Sequence, residues 1–186
     1  MPRTSDKKER LISAAKALIH AHGFGATSLA DIAEASDVPL GNVYYYFRSK
    51  DQLASAVIEA LQAELQPVLD QCSTLTSPKQ RLLQLLDFLE NEWLDPVTRH
   101  GCPIGGLCQE LNKSDSPVRS DAAALLNGLL QWLETQFAEM GHKDARSLAL
   151  YFISMSQGAS LVASTLQEKS VLRQQLDQLK AWVESL

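Results

Sequence analysis

Apolar side chains return at i, i+3, i+4, i+7 and i+8 near the start of the chain. Leu11, Ala14, Ala15, Leu18 and Ile19 share one face and predict a first helix that ends at Gly23 and Gly25. Thr27 and Ser28 are strong N-cap types ahead of "LADIAEAS", a short second helix. Asp37-Val38-Pro39 breaks it, and "LGNVYYYF" makes a third. Ser49 caps a fourth, in which Leu53, Val57, Leu61 and Leu65 repeat every fourth position until Pro67 interferes. Beyond "STLTSP" a fifth helix is expected over residues 79–93, followed by an irregular region, "DPVTRHGCPIGG". Helices near 106–112, 116–140, 144–167 and 170–185 complete the chain. No β alternation, low-complexity tract or internal repeat competes with this pattern. The expected fold is all-α, with about nine helices. A three-helix, helix-turn-helix head occupies 1–50 and a larger helical body 51–186.

Composition changes the picture in three places. The 186 residues are 45% hydrophobic, enough for one good core and a small second one. The net charge of −5 is unevenly spread: the first fifty residues carry seven Lys/Arg against five Asp/Glu, so a basic head sits on an acidic body. That polarity favours an anionic partner at one end. No stretch reaches the roughly 18 apolar residues that cross a bilayer, and the N-terminus has no signal-peptide core. Cys72, Cys102 and Cys108 form no CxxC pair, and His20 and His22, at i,i+2, do not share a helix face. The expectation is a reducing, cytoplasmic protein without metal, cofactor or catalytic residues.

The short helix, tight break and second short helix have the lengths of a helix-turn-helix. Ala33 is small where two helices cross, and Ile32, Val38 and Val43 are apolar where the unit packs on the first helix. The turn needs a left-handed residue, and Asp37 is among the few non-glycine types that tolerate it. Pro39 suits the first turn of the next helix. At about 100° per residue, Leu40, Val43 and Phe47 gather on one side of that helix, with Tyr46 at the margin. Gly41, Tyr44, Tyr45 and Arg48 lie opposite, flanked by Asn42. Tyrosine hydroxyls and an asparagine amide can donate to phosphates, asparagine can bond adenine, and a tyrosine ring can pack on a thymine methyl. Lys50, Arg3 and Lys7 add phosphate attraction, and Thr27 and Ser28 at a helix N-terminus offer a further phosphate seat. The competing reading makes the three tyrosines core, but so short a helix cannot bury all three on one face.

"FGATSLADIAEASDVPLGNVYYYFRSKDQL" resembles the DNA-binding head of the TetR family of bacterial transcriptional regulators, over about residues 8–55. The resemblance implies a two-fold homodimer on a palindromic double-stranded DNA operator. Its recognition helices would enter successive major grooves roughly 34–36 Å apart. It also implies that Thr27, Pro39, Leu40, Gly41, Asn42, Tyr44, Tyr45, Tyr46 and Lys50 stand at DNA-contacting positions. Two residues depart from the family pattern: Asp37 replaces the common turn glycine, and Tyr46 stands where many members have histidine.

The resemblance thins beyond residue 60. Ser156, Ser160, Ala163 and Ser164, with Gly158 and Ala159, leave a surface of small side chains on the penultimate predicted helix, while Leu172, Leu176, Leu179 and Val183 form an apolar seam on the last. Pairing both with their symmetry mates would make a four-helix dimer interface; the alternative packs both seams inside one subunit. Phe88, Trp93, Trp132, Tyr151, Phe152 and Met155 are large apolar groups suited to a chamber for a small-molecule effector, with Gln109 and Gln157 to orient it. An aromatic at helical spacing serves equally as core. "RHGCPIGGLCQEL" resembles a segment of a TetR subgroup with glycine-cysteine-proline at this bend. Cys102 there, beside Arg99 and His100, is a candidate thiol for sensing electrophiles or oxidants, with Cys108 on the following helix; both also fit as small residues in a tight bend.

Three functions of different classes remain. One is a repressor released from its operator by a ligand bound in the body. Another is a thiol enzyme, disfavoured by the missing CxxC pair and the lack of a dedicated base. The third is a helical adaptor that binds proteins and not DNA.

Overall fold

The structure is a computed structural model that describes residues 4–113 and 116–186. The described residues form nine helices and no strand, so the chain is all-α. In order they are α1 (Thr4–His22), α2 (Leu29–Ser36), α3 (Leu40–Tyr46), α4 (Lys50–Ser73), α5 (Pro78–His100), α6 (Pro103–Asn112), α7 (Arg119–Glu139), α8 (Ala145–Leu166) and α9 (Lys169–Ser185). They divide into two compact units: residues 1–63 with 106–125, and residues 64–105 with 126–186. Neither boundary coincides with the head-and-body division at residue 50.

In the first unit, α1 packs on α2 and α2 on α3. The α1 stripe turns Leu11, Ala15 and Ile19 fully inward, joined by Ile32, Ala33, Val38, Val43 and Phe47. From α4, Leu53, Ala54, Val57, Ile58 and Leu61 are buried too. Full burial of a leucine- or isoleucine-sized side chain contributes roughly 1.5–3 kcal/mol. That is why helices of eight and seven residues, α2 and α3, persist although they are too short to be stable alone.

In the second unit, α9 lies against α5 and α8, which also pack on each other. Leu82 and Leu86 of α5, Leu133 and Phe137 of α7, Ala149 and Ala163 of α8 and Val183 of α9 are fully enclosed in one core. The side chains expected at a dimer interface mostly face inward. Ala159, Ser160, Ala163, Leu172, Leu176, Leu179 and Val183 are all buried within their own subunit, and half-buried Ser156 donates its hydroxyl to the Ile153 carbonyl. The α9 seam found its partner in α5 and α8 of the same chain.

Two prolines expected to stop helices do not. Pro67 lies inside α4 and Pro96 inside α5, so α5 runs to His100 and the irregular stretch shrinks to Gly101 and Cys102. An interior proline costs about 3 kcal/mol. The helix continues because buried side chains lie just beyond each one: Leu69 and Cys72 after Pro67, and Val97 and Thr98 after Pro96. Consequently α6 opens at Pro103, three residues before its expected start near 106.

An ion-pair network ties α9 to α5. Lys180 Nζ lies 2.6 Å from Asp87 Oδ1 and 2.7 Å from Glu90 Oε2, and Arg173 Nε lies 3.2 Å from Glu90 Oε1. The Lys180 hydrogen bond, aided by Arg173 and opposed by partial burial, holds the Glu90 carboxyl below its ordinary range. A depressed carboxylate stabilises the fold fully above its unfolded pKa of about 4.3, and that stabilisation is lost as pH falls through the lower folded value. Thermal melts of Lys180→Met should show a loss of about 1 kcal/mol at neutral pH. The gap to wild type should narrow as pH falls below the unfolded value of about 4.3 and through the lower folded value of Glu90.

Candidate nucleic-acid interface

The helix-turn-helix is built from capped ends. Gly23 closes α1 in the left-handed region, φ 88°, with its N–H on the Ile19 carbonyl at 2.9 Å. A Cβ there would also meet the Glu110 carboxylate of α6 at 2.8 Å, and that carboxylate accepts the Gly25 N–H at 3.0 Å. At α2, Ser28 and Asp31 form a capping box. The Ser28 hydroxyl accepts from the Asp31 N–H at 3.2 Å and donates to Asp31 Oδ2 at 2.7 Å, while the Ser28 N–H donates to the same oxygen at 2.8 Å. Donation from the Ser28 hydroxyl first, and from its N–H next, holds the Asp31 carboxyl below the usual range.

The C-terminus of α2 passes through Asp37 at φ 51°, ψ 44°, the left-handed residue the turn requires. Val38 is buried, and Pro39 stands one position earlier than expected, as the N-cap of α3, with its carbonyl accepting from the Asn42 N–H at 2.7 Å. On α3, Val43 is fully buried and Phe47, just past its end, is 4% exposed. Tyr44 and Tyr45 point to solvent at 54% and 77% exposure, with Gly41 and Arg48 also exposed and Asn42 half-buried beside them. Tyr46 is half-buried and meets the Tyr45 ring edge-on at 5.1 Å. Ser49 caps α4 by accepting the Gln52 N–H at 3.2 Å, and Gln52 in turn accepts the Arg48 N–H at 2.8 Å.

Three placements differ from the expectation. Leu40, grouped by helical angle with Val43 and Phe47, is 40% exposed, because it is the first residue of α3 and lies beyond the edge of the packed face. Thr27 is 3% exposed, and its hydroxyl donates to the Gly23 carbonyl at 2.8 Å, so its side chain braces the α1–α2 turn instead of facing outward. Lys50 is half-buried: Nζ donates to the Gly25 carbonyl at 3.1 Å and lies 4.4 Å from the Phe24 ring centre. That burial lowers the Lys50 pKa, with nearby Glu110 acting against it. Of the added cations, Lys7 lies on α1, and Arg3 lies outside the described residues.

The set expected to line an effector chamber is divided. Cys108 and Gln109 belong to the first unit, where the Cys108 thiol donates to the Ala122 carbonyl at 3.2 Å. In the second unit Phe152 is core, and Trp93, Trp132 and Met155 pack against that core. The Trp132 indole donates to Ser73 Oγ at 3.1 Å, and the Tyr151 ring sits 4.7 Å from that of Trp182. Phe88 is half-buried. Cys102 and Gln157 do come together: Cys102 Sγ accepts from Gln157 Nε2 at 3.3 Å and from the Gly105 N–H at 3.4 Å. A Cβ at Gly105 would lie 2.0 Å from Gln157 Oε1, so the Gln157 amide could not keep this position beside a larger residue. No sequence signal pointed to that close approach.

The outer face of α8 is apolar and exposed, and of it the sequence reading singled out only Gly158 and Tyr151, missing Leu161, Val162 and Leu166. Tyr151, Ser154, Gly158, Leu161, Val162 and Leu166 lie along it, with Leu161 67% and Leu166 53% exposed. It was hidden because the small and large residues of "YFISMSQGASLVASTL" suit either side of a buried helix.

Comparison with known proteins places these features. Residues 11–57 match the bacterial regulatory proteins of the tetR family, and residues 78–178 match the C-terminal domain of LmrA/YxaF-like transcriptional regulators. The chain is 28% identical over 184 residues to an HTH-type transcriptional regulator in the lacX 3′ region of Lactococcus lactis subsp. lactis, covering 96% of this chain and 94% of that protein. It is 26% identical to the HTH-type transcriptional regulator LmrA of Bacillus subtilis, covering 90% and 91%. A TetR transcriptional regulator from Chloroflexus aurantiacus superposes with a TM-score of 0.85 at 22% identity, covering 99% and 97%, which shows the shared fold.

Proposed function

Because the chain belongs to the TetR family of bacterial regulatory proteins, with an LmrA/YxaF-like C-terminal domain, we propose that it is a repressor that leaves a palindromic operator when a small molecule binds its body. It is a helix-turn-helix transcriptional regulator, not an enzyme. One observation carries the reading: Val43 of α3 and Phe47 just past its end are buried, while Leu40, Gly41, Tyr44 and Tyr45 face solvent. A Cβ at Gly41 would meet nothing within 4 Å, so nothing inside the chain demands glycine there. An approaching duplex would, since zero side-chain volume lets backbone and groove come close. Around this centre we place Pro39, Asn42 and Tyr46, with the free N–H groups of the Ser28-capped helix and Lys50 on phosphates. Thr27 contributes through the turn it braces.

Residues 1–50 act in this reading as the DNA-binding domain and 51–186 as the ligand-binding and dimerisation domain, in the cytoplasm. Among the described residues no helix is long and apolar enough to cross a membrane. The homodimer is assigned to the exposed face of α8, where Gly158 and Ser154 allow a second α8 to approach and Leu161, Val162 and Leu166 give apolar area. The effector itself is unidentified, and it would act only as far as it prefers the conformation that does not fit DNA. A second reading rests on Cys102, whose sulfur is held by two N–H donors at the bend before α6. In it, an electrophile adding to Cys102 displaces the Gln157 contact and serves as the signal.

Wild-type protein should bind duplex DNA with an affinity that falls steeply as salt rises. Tyr45→Ala should weaken that binding roughly tenfold with an unchanged melting temperature; equal affinity would count against the α3 surface. Leu161→Asp should shift the sedimenting species from dimer to monomer, whereas Asp177→Ala on the exposed side of α9 should not. If Cys102 is the sensor, Cys102→Ser should abolish release from DNA by thiol-reactive aldehydes or quinones, and an undiminished response would remove that reading.

A further inference from the structure

The last turn of α2 contains no basic side chain. Nothing on the helix itself answers the partial negative charge of its C-terminal carbonyls. The Val38 N–H reaches the Ala33 carbonyl at 3.0 Å and the Asp37 N–H the Glu34 carbonyl at 3.1 Å, which occupies two of them. Those of Ser36 and Asp37 are met from a different helix. Arg10 of α1 donates through Nη2 to the Ser36 carbonyl, to the Asp37 carbonyl at 2.9 Å and to Asp37 Oδ2 at 3.1 Å. Nη2 has two hydrogens, so these acceptors share them.

The Arg10–Asp37 ion pair is open to water, with the Asp37 side chain fully exposed, and such pairs contribute little. The carbonyl bonds count for more, because they grip the backbone of the left-handed residue itself. That residue sets the direction in which the chain enters α3. Aspartate occupies this region less readily than glycine does.

We infer that Arg10 is a positioning residue for DNA reading: its guanidinium braces the Ser36–Asp37 turn and thereby fixes the angle of α3. The inference rests on the outer face of α3 being the DNA-contacting surface.

The full chain and its Arg10→Gln, Arg10→Lys and Arg10→Gln/Asp37→Gly variants are titrated over a salt series. Each meets two duplexes: the one that wild type enriches from a randomised pool, and poly(dI-dC). Circular dichroism checks that each variant is folded. Arg10→Gln should lose roughly tenfold in affinity for the enriched duplex, with binding to poly(dI-dC) and the salt slope unchanged. Adding Asp37→Gly should recover part of the loss, because glycine takes positive φ without steric cost. A slope reduced by about one, with both duplexes weakened alike, would make Arg10 a phosphate contact and overturn the inference. Wild-type affinity in Arg10→Gln would overturn it as well. If Arg10→Gln does not fold, Arg10→Lys decides: it keeps the charge but not the planar fork, so a partial loss at constant slope supports the brace and no loss refutes it. If wild type enriches no duplex at all, the DNA-contact reading falls, and this inference falls with it.

Discussion

A helix of seven residues cannot hold itself together in water, and α3 is that short. What keeps it formed is the burial of Val43 and Phe47 together with the turn that delivers it from α2. The same burial decides which side chains remain outside. With one face committed to the interior, Tyr44, Tyr45 and Gly41 are turned toward solvent. Stability and recognition are therefore two consequences of one constraint, and a change to the inner face cannot leave the outer face untouched.

The rest of the first unit serves that constraint through polar contacts on backbone groups. Thr27 braces the turn after α1 from its buried hydroxyl, Glu110 takes the Gly25 N–H, and Lys50 takes the Gly25 carbonyl. Arg10 does the same for the turn before α3. Each of these acts on a main-chain group at a helix boundary, where carbonyls and N–H groups lack intrahelical partners. The head is thus held by its corners as much as by its small core. This explains why residues that looked like outward phosphate ligands, Thr27 and Lys50, prove to be partly engaged in holding the frame.

The second unit follows a different rule. Its core is large and continuous, and the α9 seam belongs to it, sealed at its edge by Lys180 between Asp87 and Glu90. Apolar area left over appears on α8 instead, around Gly158, where a second helix has room to approach.

Local pattern alone was enough to reveal the all-α class, most helix boundaries, the left-handed Asp37 and the sorting of Val43 and Phe47 from Tyr44 and Tyr45. These depend on interactions within a few residues: helical periodicity, capping, and which residues tolerate positive φ. Tertiary structure alone decided whether Pro67 and Pro96 end a helix, because burial of residues beyond each proline outweighs the local cost. It also decided that the α9 seam faces α5 and α8, since an apolar stripe states that it must be covered and not by what. The close approach of Gly105 to Gln157 and the reach of Arg10 to the α2 C-terminus were invisible for the same reason. Each joins residues far apart in the chain, and no periodicity records which distant side chain will arrive.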